Sequence, residues 1–419
     1  MKFKTIFTCI IAIQMAACQP NAGGNKIEDV KDDITEEIEQ LSTVSDYSDL
    51  ANLPTSFYLY AIVFVFAFLA SQWLIPQSIR FAHRFRLVDH PTLRKTHLKP
   101  IPILGGVSIF ISVVFAFILT ILLLNRYPEI ELNFQIVFGL FSAVSLMVFF
   151  GLKDDILQVK PLEKVIFQII TALFVIISCG VRIENFDGLF GIYGLSSFFS
   201  YTFSIFVFVI IVNAFNLIDG IDGLSASIGL ISTLCFGIFF FLNDLIIQAL
   251  IMFCYSGALT SFLFFNFKKK LFLGDNGSMS LGVVVAFGVF SVITLTNDIS
   301  FVNETGFLTK NSSIIILALM SFPLLDTIRI FFVRLLKGKS HFKADRNHLH
   351  HHLTRLNFSH LECTLLIVTY TISITLIAVY FSSLDITKHF FIMLFFSSII
   401  YLVSIISKIK TYNPNTSNL

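Results

Sequence analysis

From residue 56 onward the chain alternates long apolar runs with short polar connections. The runs fall near 57–77, 103–124, 134–151, 163–180, 197–215, 224–241, 246–265, 279–296, 313–331, 362–380 and 389–407. Each comes close to the ~20 residues that cross ~30 Å of hydrocarbon at ~1.5 Å per residue. The runs are continuous and do not alternate apolar with polar residues, so they predict helices rather than barrel strands. The expected fold is all-α: a polytopic integral membrane protein with about eleven transmembrane helices, preceded by a signal-like segment.

That segment is MKFKTIFTCIIAIQMAACQP, residues 1–20. Lys2 and Lys4 make a positive start, Thr5–Met15 a short apolar stretch, and Ala16-Ala17-Cys18 a small-residue ending. It reads as an export signal, a lipoprotein-like processing site or an uncleaved anchor. Residues 21–55 are acidic, with Glu28, Asp29, Asp32, Asp33, Glu36, Glu37, Glu39, Asp46 and Asp49 against Lys26 and Lys31. This stretch is too poor in apolar residues for a core of its own and is expected outside the cell membrane. Residues 56–407 then form the membrane domain and 408–419 a cytoplasmic tail.

Charge gives the runs a direction. Arg80, Arg84, Arg86, Arg94, Lys95 and Lys99 share the loop 78–102, while 125–133 holds only Arg126. Lys153, Lys160 and Lys164 flank the next connection, and 181–196 again holds a single Arg182. Lys268–Lys270 and the loop 332–361, with Arg334, Lys337, Lys339, Lys343, Arg346 and Arg355, are heavy; the loops with Lys310 and Lys388 are light. Heavy loops belong in the cytoplasm. The whole-chain balance of 29 basic against 27 acidic residues, net +2, hides this alternation.

Composition agrees. Of 419 residues 55 % are hydrophobic, 50 are Phe, and 13 % are charged, about half the charged share of a soluble domain. An ordinary soluble enzyme, a disordered chain and a nucleic-acid binder are excluded. Six cysteines form no CxxC pair and point to neither a zinc site nor a disulfide framework.

The polar chemistry collects in the heavy loops. HPTLRKTHLKPIPILGG, from His90 to Gly106, places Arg94, Lys95 and His97 before Pro100, Pro102 and the pair Gly105-Gly106. FGLKDD ends in Asp154 and Asp155, whose neighbouring positions point in different directions on a helix. Carboxylates at a membrane boundary are costly unless solvated, paired or bound to a cation. NAFNLIDGIDGL carries Asn213, Asn216, Asp219 and Asp222 with no basic residue among them. The spacing of three suits one helix face, and the repeated Asp-Gly suits a turn equally well. FLGDNGSMSLG sets Asp275 in a glycine-flanked turn ahead of an apolar helix, and such oxygen ligands suit Mg²⁺. DRNHLHHH combines Asp345 and Arg346 with His348, His350, His351 and His352, suited to phosphate oxygens or proton transfer. Asp326 and Arg329 are spaced to pair with each other. A transporter would place its charges inside the spans, and these spans contain almost none.

At these loops, over about residues 57–407, the sequence resembles the bacterial polyprenyl-phosphate N-acetylhexosamine-1-phosphate transferases. The resemblance implies transfer of a sugar 1-phosphate, most simply GlcNAc-1-phosphate, from a UDP-N-acetylhexosamine to undecaprenyl phosphate at the inner leaflet, with release of UMP. It implies Mg²⁺, with Mn²⁺ as a substitute. It makes Asp154, Asp155, Asp219, Asp222 and Asp275 catalytic, with Asp275, Asp155 and Asp219 around the metal. One of the 154–155 pair is a base or a phosphate-positioning group. Arg94, Lys95, His97, Asn213, Asn216, Arg346, His348, His350 and His351 become substrate-binding residues. Leu353 and Thr354 follow His352 where the UDP-MurNAc-pentapeptide branch resembles His-His-His followed by an acid, so the branch using a plain UDP-N-acetylhexosamine is expected. Phospho-MurNAc-pentapeptide transfer is the alternative, a nucleotide-sugar or lipid transporter the next. The expected partners are both substrates and the bilayer; a homodimer is compatible with the sequence, and no nucleic acid is expected.

Overall fold

The computed structural model describes residues 55–90, 99–124, 133–296, 311–336, 349, 353–354 and 358–409. The chain divides into two units, Met1–Tyr58 and Leu59–Leu419. Residues 1–54, and with them the signal-like and acidic segments, lie outside the described residues.

The described chain is helical. In order it runs through α1 (Thr55–Phe85), β1 (Val88–Asp89), β2 (Ile101–Pro102), α2 (Gly105–Leu124), α3 (Phe134–Leu157) and α4 (Pro161–Cys179). It continues with α5 (Ser197–Ile218), α6 (Leu224–Leu242), α7 (Ile246–Asn266), α8 (Gly274–Thr296), α9 (Ser312–Leu319), α10 (Ser321–Leu336), α11 (His360–Tyr380) and α12 (Ile386–Ile409). Among the described residues nine helices are long and apolar enough to cross a membrane. The expected run 313–331 is not one straight span: it breaks at Met320 into α9 and α10, bent by 68°. The last expected run lies on α12, whose apolar stretch is Ile386–Ile399.

The sequence pattern missed where helices begin and end on the site side. α3 continues past 151 to Leu157 and carries Asp154 and Asp155 on its last turns. α4 starts at Pro161, which suits a first helical position because proline has no N–H to leave unpaired. α8 starts at Gly274, not 279, so Asp275 lies within the first helical turn instead of in a preceding loop. Polar first and last turns lower the hydropathy of a window, yet the backbone hydrogen bonds continue through them.

α8 is the axis of the bundle. Every residue from Asn276 to Ile293 is buried, and it packs chiefly against α3, α5, α2 and α6. In lipid no hydrophobic force drives helices together, so contact depends on small residues that admit close backbones. A Cβ on Gly106 would collide with the backbone of Gly277, and one on Gly151 with the backbone of Asn276. These glycines hold the first turn of α8 against α2 and α3. Extended backbone completes the join: Phe272 N–H donates to Pro102 O (2.8 Å), and Gly105 and Gly106 N–H to Phe272 and Leu273 O (3.1 Å each).

Candidate active site

The first turn of α8 gathers the site. Gly274 turns the chain at φ +75°, a conformation open to glycine, and aims the free N–H groups of the helix start at the end of α3. Asp155 receives them: its Oδ1 accepts from Asp275 N–H (2.9 Å), its Oδ2 from Asn276 N–H (3.1 Å) and the Asn276 amide (2.6 Å). Asn276 also bonds Ile103 O (2.7 Å) and accepts from Val107 N–H (3.0 Å), tying α2 into the same joint. A carboxylate at a helix N-terminus pairs with orphan donors and with the positive end of the dipole. Asp155 is thus the residue that docks α8 on α3.

Asp275 faces the other way. Its Oδ1 accepts from the Asn216 amide (2.9 Å) and its Oδ2 from Lys164 (3.0 Å). Asn216 donates as well to Ser278 Oγ (3.0 Å). Asp154 is buried, accepts the Val159 N–H (2.8 Å) and pairs with Lys164. Lys164 therefore bridges two carboxylates from α3 and α8. In the linear sequence Lys164 stands out only as one of the inner-side charges. Its signal was available: a lone Lys in the first turn after Pro161, where the helix dipole disfavours a cation.

Asn213 and Asn216 lie on α5, which ends at Ile218. Both readings of the Asp-Gly stretch hold in part: helix through Asn216, then a turn from Asp219 to Gly223, the latter at φ +82°. Asn213 forms a reciprocal amide pair with buried Gln168 (2.7 and 3.3 Å), beneath the cluster. Asp219 is half-buried and, among the described residues, accepts no hydrogen bond and forms no ion pair. Burial, and then the charges of Asp275, Asp155 and Asp222, push its carboxyl well above the usual range. Asp222 is set apart, its Oδ2 2.6 Å from His360 Nδ1 and 4.0 Å from Lys269 Nζ.

Arg94, Lys95, His97, Arg346, His348, His350 and His351 lie outside the described residues. Leu349, between two of those histidines, is described: it is buried, and its N–H donates to fully buried Asp326 (3.0 Å), which also binds Arg329 (3.2 Å) and Tyr401 (2.9 Å).

Among the described residues no three His, Cys, Asp or Glu side chains are grouped so as to hold a metal ion. The donor chemistry nevertheless fits a hard divalent cation. Among the described residues Asp154, Asp155, Asp219 and Asp275 set four carboxylates around Lys164, and hard cations take oxygen ligands of this kind. Asp219 and Asp275 would hold the ion. Asp155, expected in that shell, spends both oxygens on the α8 N-terminus.

A membrane bundle with carboxylates, amides and a lysine converging at one end has the makings of a polytopic phosphoryl-transfer enzyme. Residues 137–295 match the family described as Glycosyl transferase family 4. The chain is 30 % identical over 318 residues to the decaprenyl-phosphate N-acetylglucosaminephosphotransferase of Mycolicibacterium smegmatis, covering 72 % of this chain and 76 % of that protein. It is 27 % identical to the undecaprenyl-phosphate α-N-acetylglucosaminyl 1-phosphate transferase of Yersinia pestis, covering 72 % and 79 %. A probable undecaprenyl-phosphate N-acetylglucosaminyl 1-phosphate transferase of Bacillus subtilis is 26 % identical, covering 73 % and 80 %. The chain belongs to the polyprenyl-phosphate N-acetylhexosamine-1-phosphate transferase family.

Proposed function

We propose that the protein transfers GlcNAc-1-phosphate from UDP-GlcNAc to undecaprenyl phosphate on the cytoplasmic side of the bacterial inner membrane, releasing UMP. The observation that carries this reading is the convergence of Asp275, Asp154, Asp155, Lys164 and Asn216 at one end of the bundle, in a chain whose relatives are named for that reaction. The alternative, phospho-MurNAc-pentapeptide transfer, is named by none of these relatives.

An oxygen of the lipid phosphate attacks the β-phosphorus of the UDP-sugar, the bond from that phosphorus to the bridging oxygen breaks, and UMP departs with the electron pair. A phosphate monoester is largely ionised near neutral pH, so positioning and charge neutralisation matter more than proton removal. Lys164 supplies a positive charge beside Asp275, and Asn216 orients that carboxylate. Asp219, with no protein donor among the described residues, is free to face the reacting groups. Mg²⁺ or Mn²⁺, held by Asp219 and Asp275, would neutralise diphosphate charge. The heavy loops that flank these residues support a cytoplasmic site.

The test is mass analysis of the lipid product formed by purified protein. UDP-GlcNAc with undecaprenyl phosphate should yield the lipid-linked GlcNAc diphosphate and UMP, and UDP-MurNAc-pentapeptide should yield neither. Asp275→Asn should abolish turnover. UMP release without the lipid acceptor, or product only from the pentapeptide donor, would overturn the assignment.

A further inference from the structure

His360 stands at a place its chemistry does not favour. It opens α11, where Ser359 and Glu362 form a reciprocal capping box, and the positive end of a helix disfavours a basic side chain. Its imidazole reaches across to the turn between α5 and α6. Nδ1 lies 2.6 Å from Asp222 Oδ2 and 3.3 Å from the Asp222 backbone N. These contacts compete, because an ionised carboxylate needs a proton on Nδ1 whereas the backbone N–H needs a lone pair there. The shorter contact decides for a proton on Nδ1, donated to Asp222.

One helical turn further along α11, Thr364 Oγ1 donates to Asp222 O (3.3 Å). Residues four apart share a helix face, so α11 grips Asp222 by its side chain and its carbonyl together. The next residue is held from a third side: Gly223 N–H donates to Asn266 Oδ1 of α7 (2.5 Å). Asp219, three residues before Asp222, is held on its near side as the C-cap residue of α5, its N–H donating to Asn216 O (3.4 Å), while its carboxylate accepts no hydrogen bond among the described residues. With the near end of the turn capped on α5, the direction of the Asp219 carboxylate depends on where the far end is fixed.

We propose that His360 is a positioning residue: by donating Nδ1–H to Asp222 it fixes the 219–223 turn and so places Asp219 against Asp275. The same contact ties the start of α11, which follows the histidine-rich stretch 345–352, to the acidic turn. The kinetic side of this inference rests on the transferase reading above; the tether itself does not.

Two amide variants separate the ring nitrogens. His360→Asn puts an N–H donor near the place of Nδ1, and His360→Gln puts one near Nε2. With UDP-GlcNAc and undecaprenyl phosphate, His360→Gln and His360→Ala should lose about 100-fold in kcat, the order of loss from a misplacement near 1 Å, with KM for UDP-GlcNAc changed less than about twofold. His360→Asn should stay within about fivefold of wild type, and all three variants should melt as one sharp transition in detergent. Hydrogen–deuterium exchange of the 219–224 peptide supplies a readout without turnover: faster in the Gln and Ala variants, near wild type in Asn. Equal exchange in all four proteins, or equal kcat for Asn and Gln, would overturn the proposal. A wild-type protein inactive on UDP-GlcNAc would refute the transferase reading, and the exchange pattern would still decide the tether.

Discussion

Lys164 and Asp219 are the two residues whose environments make the sharpest claims. Lys164 bridges Asp154 and Asp275, so Lys164→Met leaves a buried carboxylate without its partner. Removing one member of such a pair costs roughly 3–5 kcal/mol, and on the proposed reaction losing the positive charge beside Asp275 costs about 10²-fold or more in turnover. A lower melting temperature together with loss of UMP release is expected. Asp219→Asn should behave oppositely on stability. Burial and neighbouring carboxylates penalise its charged form, so at neutral pH in a chelator the neutral amide relieves a cost. The variant should melt a few degrees higher than wild type in EDTA, by roughly 2–4 °C for a gain near 1 kcal/mol, and lose that advantage in Mg²⁺. A melting temperature unchanged in EDTA would remove Asp219 from the uncompensated cluster. Residue types at this level were readable along the chain: each Asp of the motifs was singled out. Their division of labour was not, since Asp154 and Asp155 are adjacent in sequence yet serve different helices.

Helix boundaries and helix contacts carry the next layer. Apolar runs located the helices because each span must bury its backbone in its own hydrogen bonds. They could not locate polar first turns, and those turns hold Asp275 and Lys164. Nor could they show that α9 and α10 break at Met320, because both halves are apolar enough to read as one run. The close approach of α2 to α8 is a contact of this kind. A side chain on Gly106 meets the backbone of Gly277, whereas one on Gly194 meets open space. Gly106→Val should cost at least about 1–3 kcal/mol, as forced insertion into a packed joint does, and abolish turnover by moving the first turn of α8. Gly194→Val should leave both melting and turnover unchanged. A functional Gly106→Val enzyme would show that this joint yields.

For the molecule as a whole, alternating loop charge predicts opposite sides for Lys160 and Glu184, exposed residues at the two ends of α4. In intact cells a membrane-impermeant thiol reagent should label Glu184→Cys and spare Lys160→Cys until the membrane is opened. Reversed labelling would put the acidic site outside and end the proposed reaction. The described native cysteines, Cys179, Cys235, Cys254 and Cys363, are buried or half-buried, which limits background. Helical class and the course of most apolar runs were legible in the linear chain, because crossing hydrocarbon imposes local demands on length and polarity, but of the eleven expected spans nine stand as long apolar helices among the described residues, one is a bent pair and one a shorter apolar stretch. The site was legible as a set of residue types near the membrane surface. Its wiring belongs to the folded bundle alone: Asp155 capping α8, Lys164 joining α3 to α8, His360 holding the turn of Asp222. Such pairings depend on which helix ends meet in space, and close packing at Gly106, Gly151 and Gly277 sets that meeting across distances in sequence that no local pattern records.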